Sequence, residues 1–167
     1  MEFLKDILAL RSYSTEEAEV VARIKQEMEK LKFDEVFVDK IGNIVGRIGK
    51  GKIRILYDSH IDTVEVSEAD QKEFNLLNPL VKNNIVFGRG ASDNKAAITT
   101  MVYGAYLMKK FYNLKDITLF VVGTVQEEDC DGLAMEYLLN NSIPKPNFVV
   151  LGECTNLDIY RGHRGRV

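Results

Sequence analysis

The sequence predicts an α/β fold with a mixed, mostly parallel β-sheet and helices on both faces. Patterns typical of helices alternate along the chain with short apolar runs. The three strongest runs, at 53–57, 117–125 and 148–151, are mostly apolar and do not alternate with polar residues. Runs of this kind are typical of strands that are covered on both faces, as in parallel sheets with crossover helices.

Length and composition limit the class of protein. The 167 residues correspond to about one domain. Hydrophobic residues make up 46% and charged residues 28%, which excludes collagen-like and disordered classes. A net charge of −3 offers no positive surface for nucleic acid, so we expect no nucleic-acid partner. No stretch approaches the ~18 uninterrupted apolar residues of a membrane span, so no membrane partner is expected either.

The two cysteines, Cys130 and Cys154, indicate a reducing compartment. The first residues lack the basic-then-apolar order of a secretory signal peptide. Two thiols without such a signal are typical of a cytoplasmic protein and not of a disulfide scaffold. Because no C-x-x-C pair occurs, we expect both side chains to be small buried thiols behind a neighbouring acidic cluster.

Helices are predicted where apolar residues recur every three or four positions. They fall at 3–8, after residue 14, after residue 93 and at 133–138. Ser14 followed by Glu17 three residues later predicts a capping box at the start of the second helix.

The remaining strands predict that the sheet is mixed. The turn residues Gly42 and Asn43 lie between candidate strands at 35–39 and 44–48, which favours an antiparallel hairpin. A polar and acidic stretch at 63–84 predicts a long surface loop, and a brief strand is expected at 85–87.

Ionisable residues follow each of the three apolar strands at once. In chain order they are His60 and Asp62, then Glu127 and Glu128, then Glu153. Another carboxylate, Asp93, lies where a glycine-containing loop enters a helix. Because ligands of open α/β sheets bind outside the carboxyl ends of the strands, parallel neighbouring strands would bring these residues together. One imidazole and several carboxylates form a ligand set for a divalent cation, which would also relieve the repulsion between the acids.

Each of these residues also has an ordinary explanation when it is taken singly. His60 could be a satisfied or surface histidine, Asp93 a helix cap, and the acids at 127–129 a solvated turn. The loop at 88–93 could bind phosphate, but Asp93 occupies the third glycine position of G-x-G-x-x-G and would repel it. A nucleotide-binding domain therefore remains a third interpretation.

Four motifs carry a resemblance to one enzyme family. They are Ser59-His60-Ile61-Asp62-Thr63-Val64, Gly88-Arg89-Gly90-Ala91-Ser92-Asp93-Asn94-Lys95, Gln126-Glu127-Glu128 and Gly152-Glu153-Cys154-Thr155. The sequence resembles the dinuclear zinc peptidases and deacylases that include acetylornithine deacetylase, succinyl-diaminopimelate desuccinylase, carboxypeptidase G and aminoacylase. The segments at 125–132 and 160–165 look closest to the selenium-metabolism hydrolase branch.

The resemblance also implies a domain organisation. It covers almost all of this chain but only the first part of the family's. Residues 1–161 would form part of the metallopeptidase catalytic domain, and 162–167 would begin a hinge into a lid and dimerisation domain. A metal-binding histidine and a lid histidine of the family have no counterpart here, since His163 lies in the hinge. Because these histidines are missing, we expect the 167 residues alone to be poorly active or inactive. The lid domain of the family implies that the full-length protein is a homodimer formed through the lid.

The resemblance implies metal ligands. His60 and Glu153 would ligate one zinc ion. Asp93 would bridge two zinc ions, and Glu128 would ligate the second. Cobalt and manganese tolerate the same ligand set. The peptide bond after the bridging aspartate is commonly cis in the family, so a cis bond is expected between Asp93 and Asn94.

The resemblance also implies two catalytic residues and a reaction. Glu127 would be the general base, and Asp62 would hydrogen-bond the far nitrogen of His60 and fix its tautomer. The reaction would be hydrolysis of an amide or related C–N bond in dipeptides, N-acyl amino acids or carbamoyl compounds, by a water that two zinc ions activate. The alternative from another class is a non-catalytic metal-binding or interaction domain that kept the fold.

Overall fold

The computed structural model describes residues 1–67 and 78–162. The helices are α1 (Glu2–Ala9), α2 (Ala18–Lys30), α3 (Lys95–Phe111), α4 (Glu127–Cys130) and α5 (Leu133–Asn141). The strands are β1 (Glu35–Val38), β2 (Ile44–Ile48), β3 (Ile53–His60), β4 (Leu80–Lys82), β5 (Ile85–Phe87), β6 (Ile117–Thr124) and β7 (Phe148–Leu151). Parts of the predicted surface loop (68–77) and of the predicted hinge (163–167, with His163) lie outside the described residues.

Five strands form the main sheet in the order β1-β2-β6-β3-β7. β6, β3 and β7 are parallel neighbours, whereas β1 pairs with β2 and β2 pairs with β6 in antiparallel fashion. The predicted mixed sheet and the predicted hairpin are therefore confirmed. Because β6 and β7 both run parallel to β3, the carboxyl ends of these three strands lie at the same edge of the sheet.

Helices cover both faces of the sheet, as predicted. On one face, α1, α2 and α3 bury a core that includes Ile24, Val102 and Val121. On the other face, α5 buries a smaller cluster that includes Leu138 and Phe120. Among the helices described, none is both long and apolar enough to cross a bilayer.

β3 is longer than its apolar run predicts. The run ends at Tyr57, but the ladder with β6 continues to His60, which lies opposite Thr124. Since successive side chains of a strand point to opposite faces, Asp58 and His60 share the face that carries Leu56. Three polar residues thus continue the strand, and pairing with β6 places His60 at its very end.

β7 is not the buried core strand that its apolar sequence predicts. Its four residues are between 47% and 63% exposed. The reason is its position, because β7 lies at an edge of the sheet and, within residues 1–67 and 78–162, pairs only with β3. An apolar run identifies a strand, but whether the strand is covered depends on its neighbours.

Two further predictions are wrong. α2 begins at Ala18 without a side-chain cap, and Ser14 and Glu17 bond to distant partners instead of forming a capping box. The predicted surface loop of 63–84 contains the strand β4, which pairs with β5, and β5 confirms the brief strand that was predicted at 85–87. The turn residues of this hairpin, Asn83 and Asn84, have φ angles of 52° and 62°. Asparagine tolerates this left-handed conformation, which matches the twist of the flanking strands.

Candidate metal centre

Three of the four predicted ligands lie together at the carboxyl edge of the sheet. One ligand atom from each of His60, Asp93 and Glu153 lies within 4.8 Å of the other two. The Nε2 atom of His60 is 2.9 Å from Oδ1 of Asp93. The side-chain amide of Asn94 donates a hydrogen bond of 3.3 Å from Nδ2 to Oε1 of Glu153. One imidazole and two carboxylates this close together match the ligand chemistry of a divalent cation.

The loop before α3 carries Asp93 to the end of β3. Gly90 has a φ of 78°, and a Cβ at this position would lie 2.9 Å from the side chain of Thr63. Glycine is therefore required for the turn, both for its backbone angle and for its small volume. The bond between Asp93 and Asn94 is cis, as expected. Ser59 then donates a hydrogen bond of 3.1 Å to the carbonyl of Asn94, which fixes the loop against β3.

His60 is buried, and its two ring nitrogens face different partners. Nδ1 lies 3.1 Å from the carbonyl oxygen of Asp62 and 3.3 Å from its carboxylate. Burial alone would lower the pKa of His60, but hydrogen bonds to Asp62 and Asp93 raise it to about 10. The surrounding carboxylates thus favour a positive charge at this position. With Nδ1 turned to Asp62, Nε2 is the nitrogen available to a cation.

Asp62 is fully buried and joins His60 to the turn after β6. Its carboxylate accepts hydrogen bonds from the hydroxyl of Ser14 (2.7 Å) and from the backbone amides of Glu127 and Glu128 (3.1 Å each). Burial opposes ionisation of Asp62, but the bonds from His60, Ser14 and the Glu128 amide lower its pKa. Asp62 is therefore a fixed negative charge, and one side chain orients two parts of the site.

Glu127 and Glu128 begin α4, directly after the left-handed residue Gln126. Both side chains are half-buried. Burial, together with the negative charges of Glu153 and Glu128, raises the pKa of Glu127. Burial and the charges of Asp93 and Asp62 raise the pKa of Glu128. The negative charge of Asp93 therefore acts on Glu128. Glu128 nevertheless lies outside the group of His60, Asp93 and Glu153, whose ligand atoms are within 4.8 Å of one another.

Asp58 is a buried carboxyl near the site that the sequence analysis did not single out. It is 9% exposed, and its Oδ1 atom has no hydrogen-bond partner. Burial, with smaller contributions from the charges of Glu153 and Glu127, raises its pKa to about 7. The available signal was an aspartate two positions before His60, since this spacing puts both side chains on one face of a strand.

Both cysteines are exposed, which contradicts the prediction of buried thiols. Cys130 ends the short helix α4, and Cys154 follows β7 beyond the covered part of the sheet. The thiol of Cys154 donates a hydrogen bond of 3.0 Å to the carbonyl of Ser92. An apolar side chain lies inside only where other elements pack over it, and at both of these positions the described residues leave the thiol exposed.

Sequence comparison identifies relatives over nearly the whole chain. The uncharacterized protein YgeY of Escherichia coli (strain K12) is 42% identical over 165 residues, which are 99% of this chain and 41% of YgeY. The acetylornithine deacetylase of Buchnera aphidicola subsp. Schizaphis graminum is 30% identical over 131 residues, which are 75% of this chain and 32% of that enzyme. The chain thus spans less than half the length of these relatives.

Solved structures share the fold. The M20 family metallo-carboxypeptidase Sso-CP2 from Sulfolobus solfataricus has a TM-score of 0.75 at 20% identity, over 89% of this chain and 36% of that chain. Human carnosine dipeptidase 1 has a TM-score of 0.70 at 18% identity, over 90% of this chain and 38% of that chain.

The family comparison agrees with the four motifs noted in the sequence. The model described as "Peptidase family M20/M25/M40" matches residues 56–161, which are more than half of the chain and contain all the residues of the candidate site. The chain therefore belongs to the M20/M25/M40 peptidase family.

Proposed function

We propose that the protein to which this chain belongs is a metal-dependent hydrolase of amide C–N bonds in dipeptides, N-acyl amino acids or related carbamoyl compounds. The observation that carries the proposal is the group of His60, Asp93 and Glu153, whose ligand atoms lie within 4.8 Å of one another. The names of similar proteins support the proposal, since one relative is named as an acetylornithine deacetylase and a protein of the same fold as a carnosine dipeptidase.

The residues present fit a divalent cation. His60, Asp93 and Glu153 offer one imidazole nitrogen and two carboxylate oxygens, the donor atoms that zinc takes in proteins. Asp93 and Glu128 are the proposed ligands of a second ion. When bound, such ions polarise a carbonyl group and lower the pKa of water. We propose zinc, with cobalt or manganese as alternatives.

Glu127 is the proposed general base. Its raised pKa suits a carboxylate that accepts a proton from water and later gives it to the leaving nitrogen. The water oxygen then bonds to the carbonyl carbon, the C–N bond breaks, and the nitrogen leaves with the transferred proton. Asp62 contributes by holding Nδ1 of His60 and the amide of Glu127 at the same time.

The organisation of the whole protein is also a proposal. We infer that 1–161 are part of a catalytic domain, that 162–167 begin a hinge, and that a lid beyond it forms a homodimer. The proposed location is cytoplasmic, and the proposed substrates are small molecules. Assignment to the selenium-metabolism hydrolase branch stays a prediction.

The first experiment measures metal and activity together. The full-length protein, purified with its metal content determined, is assayed against a panel of dipeptides and N-acyl amino acids before and after chelation. We expect bound divalent metal, hydrolysis of at least one member, and recovery of activity when Zn²⁺ or Co²⁺ is restored. A correctly folded full-length protein that takes up neither ion would overturn the proposal.

A non-catalytic metal-binding domain is the second candidate, because Glu128 lies outside the three-residue group. Glu127→Gln separates the two candidates. If the protein is a hydrolase, this variant keeps its metal and loses about 100-fold or more in kcat. A matched control is Asp129→Asn, which changes an exposed acid of the same short helix. If neither the original protein nor the variant hydrolyses any substrate while both bind metal, the second candidate is correct.

A further inference from the structure

Four consecutive backbone amides at the end of β6 donate hydrogen bonds to buried side chains. The amides of 125, 126, 127 and 128 donate to Asn43 Oδ1 (3.1 Å), Glu17 Oε1 (2.9 Å), Asp62 Oδ1 (3.1 Å) and Asp62 Oδ2 (3.1 Å). We call residues 125–128 the base turn, because they include Glu127. The acceptors come from three separate parts of the chain, so tertiary contacts hold the turn at every residue.

The base turn needs external support at Gln126. This residue has φ 57° and ψ 30°, a left-handed backbone conformation that residues other than glycine rarely adopt. Such a conformation persists only when the surrounding structure holds it. The direction in which Glu127 leaves the sheet depends on this residue, because it immediately precedes Glu127.

We propose that Glu17 is a positioning residue for Glu127. The proposal rests on the function of Glu127 as general base. The side chain of Glu17 is 5% exposed, and it accepts the hydrogen bond of Gln126 across 109 positions of the sequence. It acts through the backbone of the base turn, which it holds in the conformation that aims Glu127 at the site.

The anchor of Glu17 is suited to this function. Glu17 directly precedes α2, and the buried residues Val20, Ile24 and Met28 fix that helix to the core. A side chain on a packed element holds its partner more firmly than one on a loop. Ser14, three residues before Glu17, donates a hydrogen bond to Asp62. The carboxylate of Asp62 in turn accepts hydrogen bonds from the amides of Glu127 and Glu128, the next two in the base turn. The segment 14–17 thus supports the turn directly and through Asp62.

Amide hydrogen exchange tests the contact without any enzyme assay. Glu17→Met removes the acceptor at similar volume, and Glu17→Gln keeps an acceptor oxygen. Glu19→Ala is the control, at an exposed position in the first turn of α2. In the ¹⁵N-labelled chain we expect the amides of 126–128 to exchange about tenfold faster in Glu17→Met. Exchange within β6 should stay unchanged in all three variants, and Glu17→Gln should keep the original rates.

Kinetics of the full-length protein test the positioning. We expect Glu17→Met to lower kcat about 100-fold with KM and metal content unchanged, because the displaced base affects only the chemical step. Glu17→Gln should recover most of kcat, and Glu19→Ala should keep all of it. A role in folding alone would lower metal content and kcat together, in proportion to the folded fraction.

The outcomes distinguish this inference from the proposed function. Unchanged exchange at 126–128 in Glu17→Met overturns the positioning role, whatever the protein catalyses. If exchange accelerates as expected but the unaltered full-length protein hydrolyses nothing, the contact stands and the proposed function fails. Should Glu17→Met not fold, Glu17→Asp replaces it, because its carboxylate is one methylene too short to reach the amide. Unchanged exchange in Glu17→Asp would likewise overturn the role.

Discussion

β6 and β7 flank β3 on its two sides and run parallel to it, yet they differ in burial and in how the residues after them are hydrogen-bonded. β6 is buried almost throughout, and the turn that follows it is hydrogen-bonded at every amide. β7 is exposed along its whole length, and within residues 1–67 and 78–162 Glu153 after it accepts one hydrogen bond, from the side chain of Asn94. The same local sequence pattern, an apolar run followed by an acid, leads to two different environments.

This difference divides the candidate site into two halves. The buried half consists of His60, Asp62 and the base turn, which hydrogen bonds fix to the core. The exposed half consists of Asp93, whose side chain is 59% exposed, and Glu153. A carboxylate that water solvates costs little to leave unpaired, whereas a buried one needs its partners. We therefore expect substitutions in the buried half to affect folding as well as metal binding, and substitutions in the exposed half to affect metal affinity alone.

The largest expected effect comes from breaking the buried half at Asp62. Asp62→Ala leaves the hydroxyl of Ser14 and the amides of Glu127 and Glu128 without their acceptor, and it removes the carboxylate beside the ring of His60, which keeps the carbonyl oxygen of residue 62. We expect the free energy of unfolding to fall by about 3–5 kcal/mol, as for loss of one partner in a buried charged network. Urea denaturation followed by circular dichroism measures it. Asp129→Ala, at an exposed acid of the same region, should change less than about 0.5 kcal/mol.

Substituting one leucine in each strand compares how much β6 and β7 contribute to the free energy of unfolding. Leu119 of β6 is buried, whereas Leu151 of β7 is exposed. We expect Leu119→Ala to cost about 2–5 kcal/mol because it creates a cavity in the core, and Leu151→Ala to cost less than about 1 kcal/mol. Equal losses in urea denaturation would mean that β7 is covered in solution, and the contrast between the strands would then be wrong.

Metal should stabilise the folded chain through the exposed half. If the chain binds one Zn²⁺, a free concentration of 100 times Kd raises the free energy of unfolding by about 2.7 kcal/mol. Glu153→Gln should remove most of this gain while leaving metal-free stability within about 0.5 kcal/mol, because Glu153 is exposed. Thermal unfolding with and without Zn²⁺ measures both quantities. A variant that loses metal-free stability instead would show that Glu153 belongs to the folding core.

The smallest effect concerns pH and Asp58, a buried carboxyl on the same strand as His60. Its folded pKa of about 7 lies above the unfolded value, so the folded chain binds the proton more tightly. The stability that this carboxyl contributes is therefore fully present below pH 4 and is lost as the pH rises to 7. We expect Asp58→Asn, measured with a chelator present, to gain about 1–3 kcal/mol over the original chain between pH 4 and pH 8. A constant difference over that range contradicts the shifted pKa.

Most of the fold follows from local patterns in the sequence. The apolar runs at 53–57 and 117–125 and the Gly42-Asn43 turn predict the strands and the hairpin because each depends on neighbouring residues. The convergence of His60 and Glu153 was also predictable, since parallel strands place their carboxyl ends together. The expected cis bond after Asp93 came from the family motif and not from any periodicity.

Other features could not be predicted, for physical reasons that differ from residue to residue. The exposure of β7 depends on which elements pack against it, and an apolar run is the same whether it is covered or not. Ser14 and Glu17 form a local pattern typical of a helix cap, but their partners lie 48 and 109 positions away. Cys130 and Cys154 are small and apolar, yet both are exposed, because burial depends on which elements pack over a residue and not on its own composition.

The sequence alone determined which chemical groups this protein has and where along the strands they come, because periodicity and motif spacing are local properties. Only the tertiary structure decided which of those groups are buried and fixed by hydrogen bonds and which are exposed to solvent. Hydrogen bonds across a hundred positions and the burial of one strand but not its equivalent depend on packing, and packing joins residues that no local pattern connects.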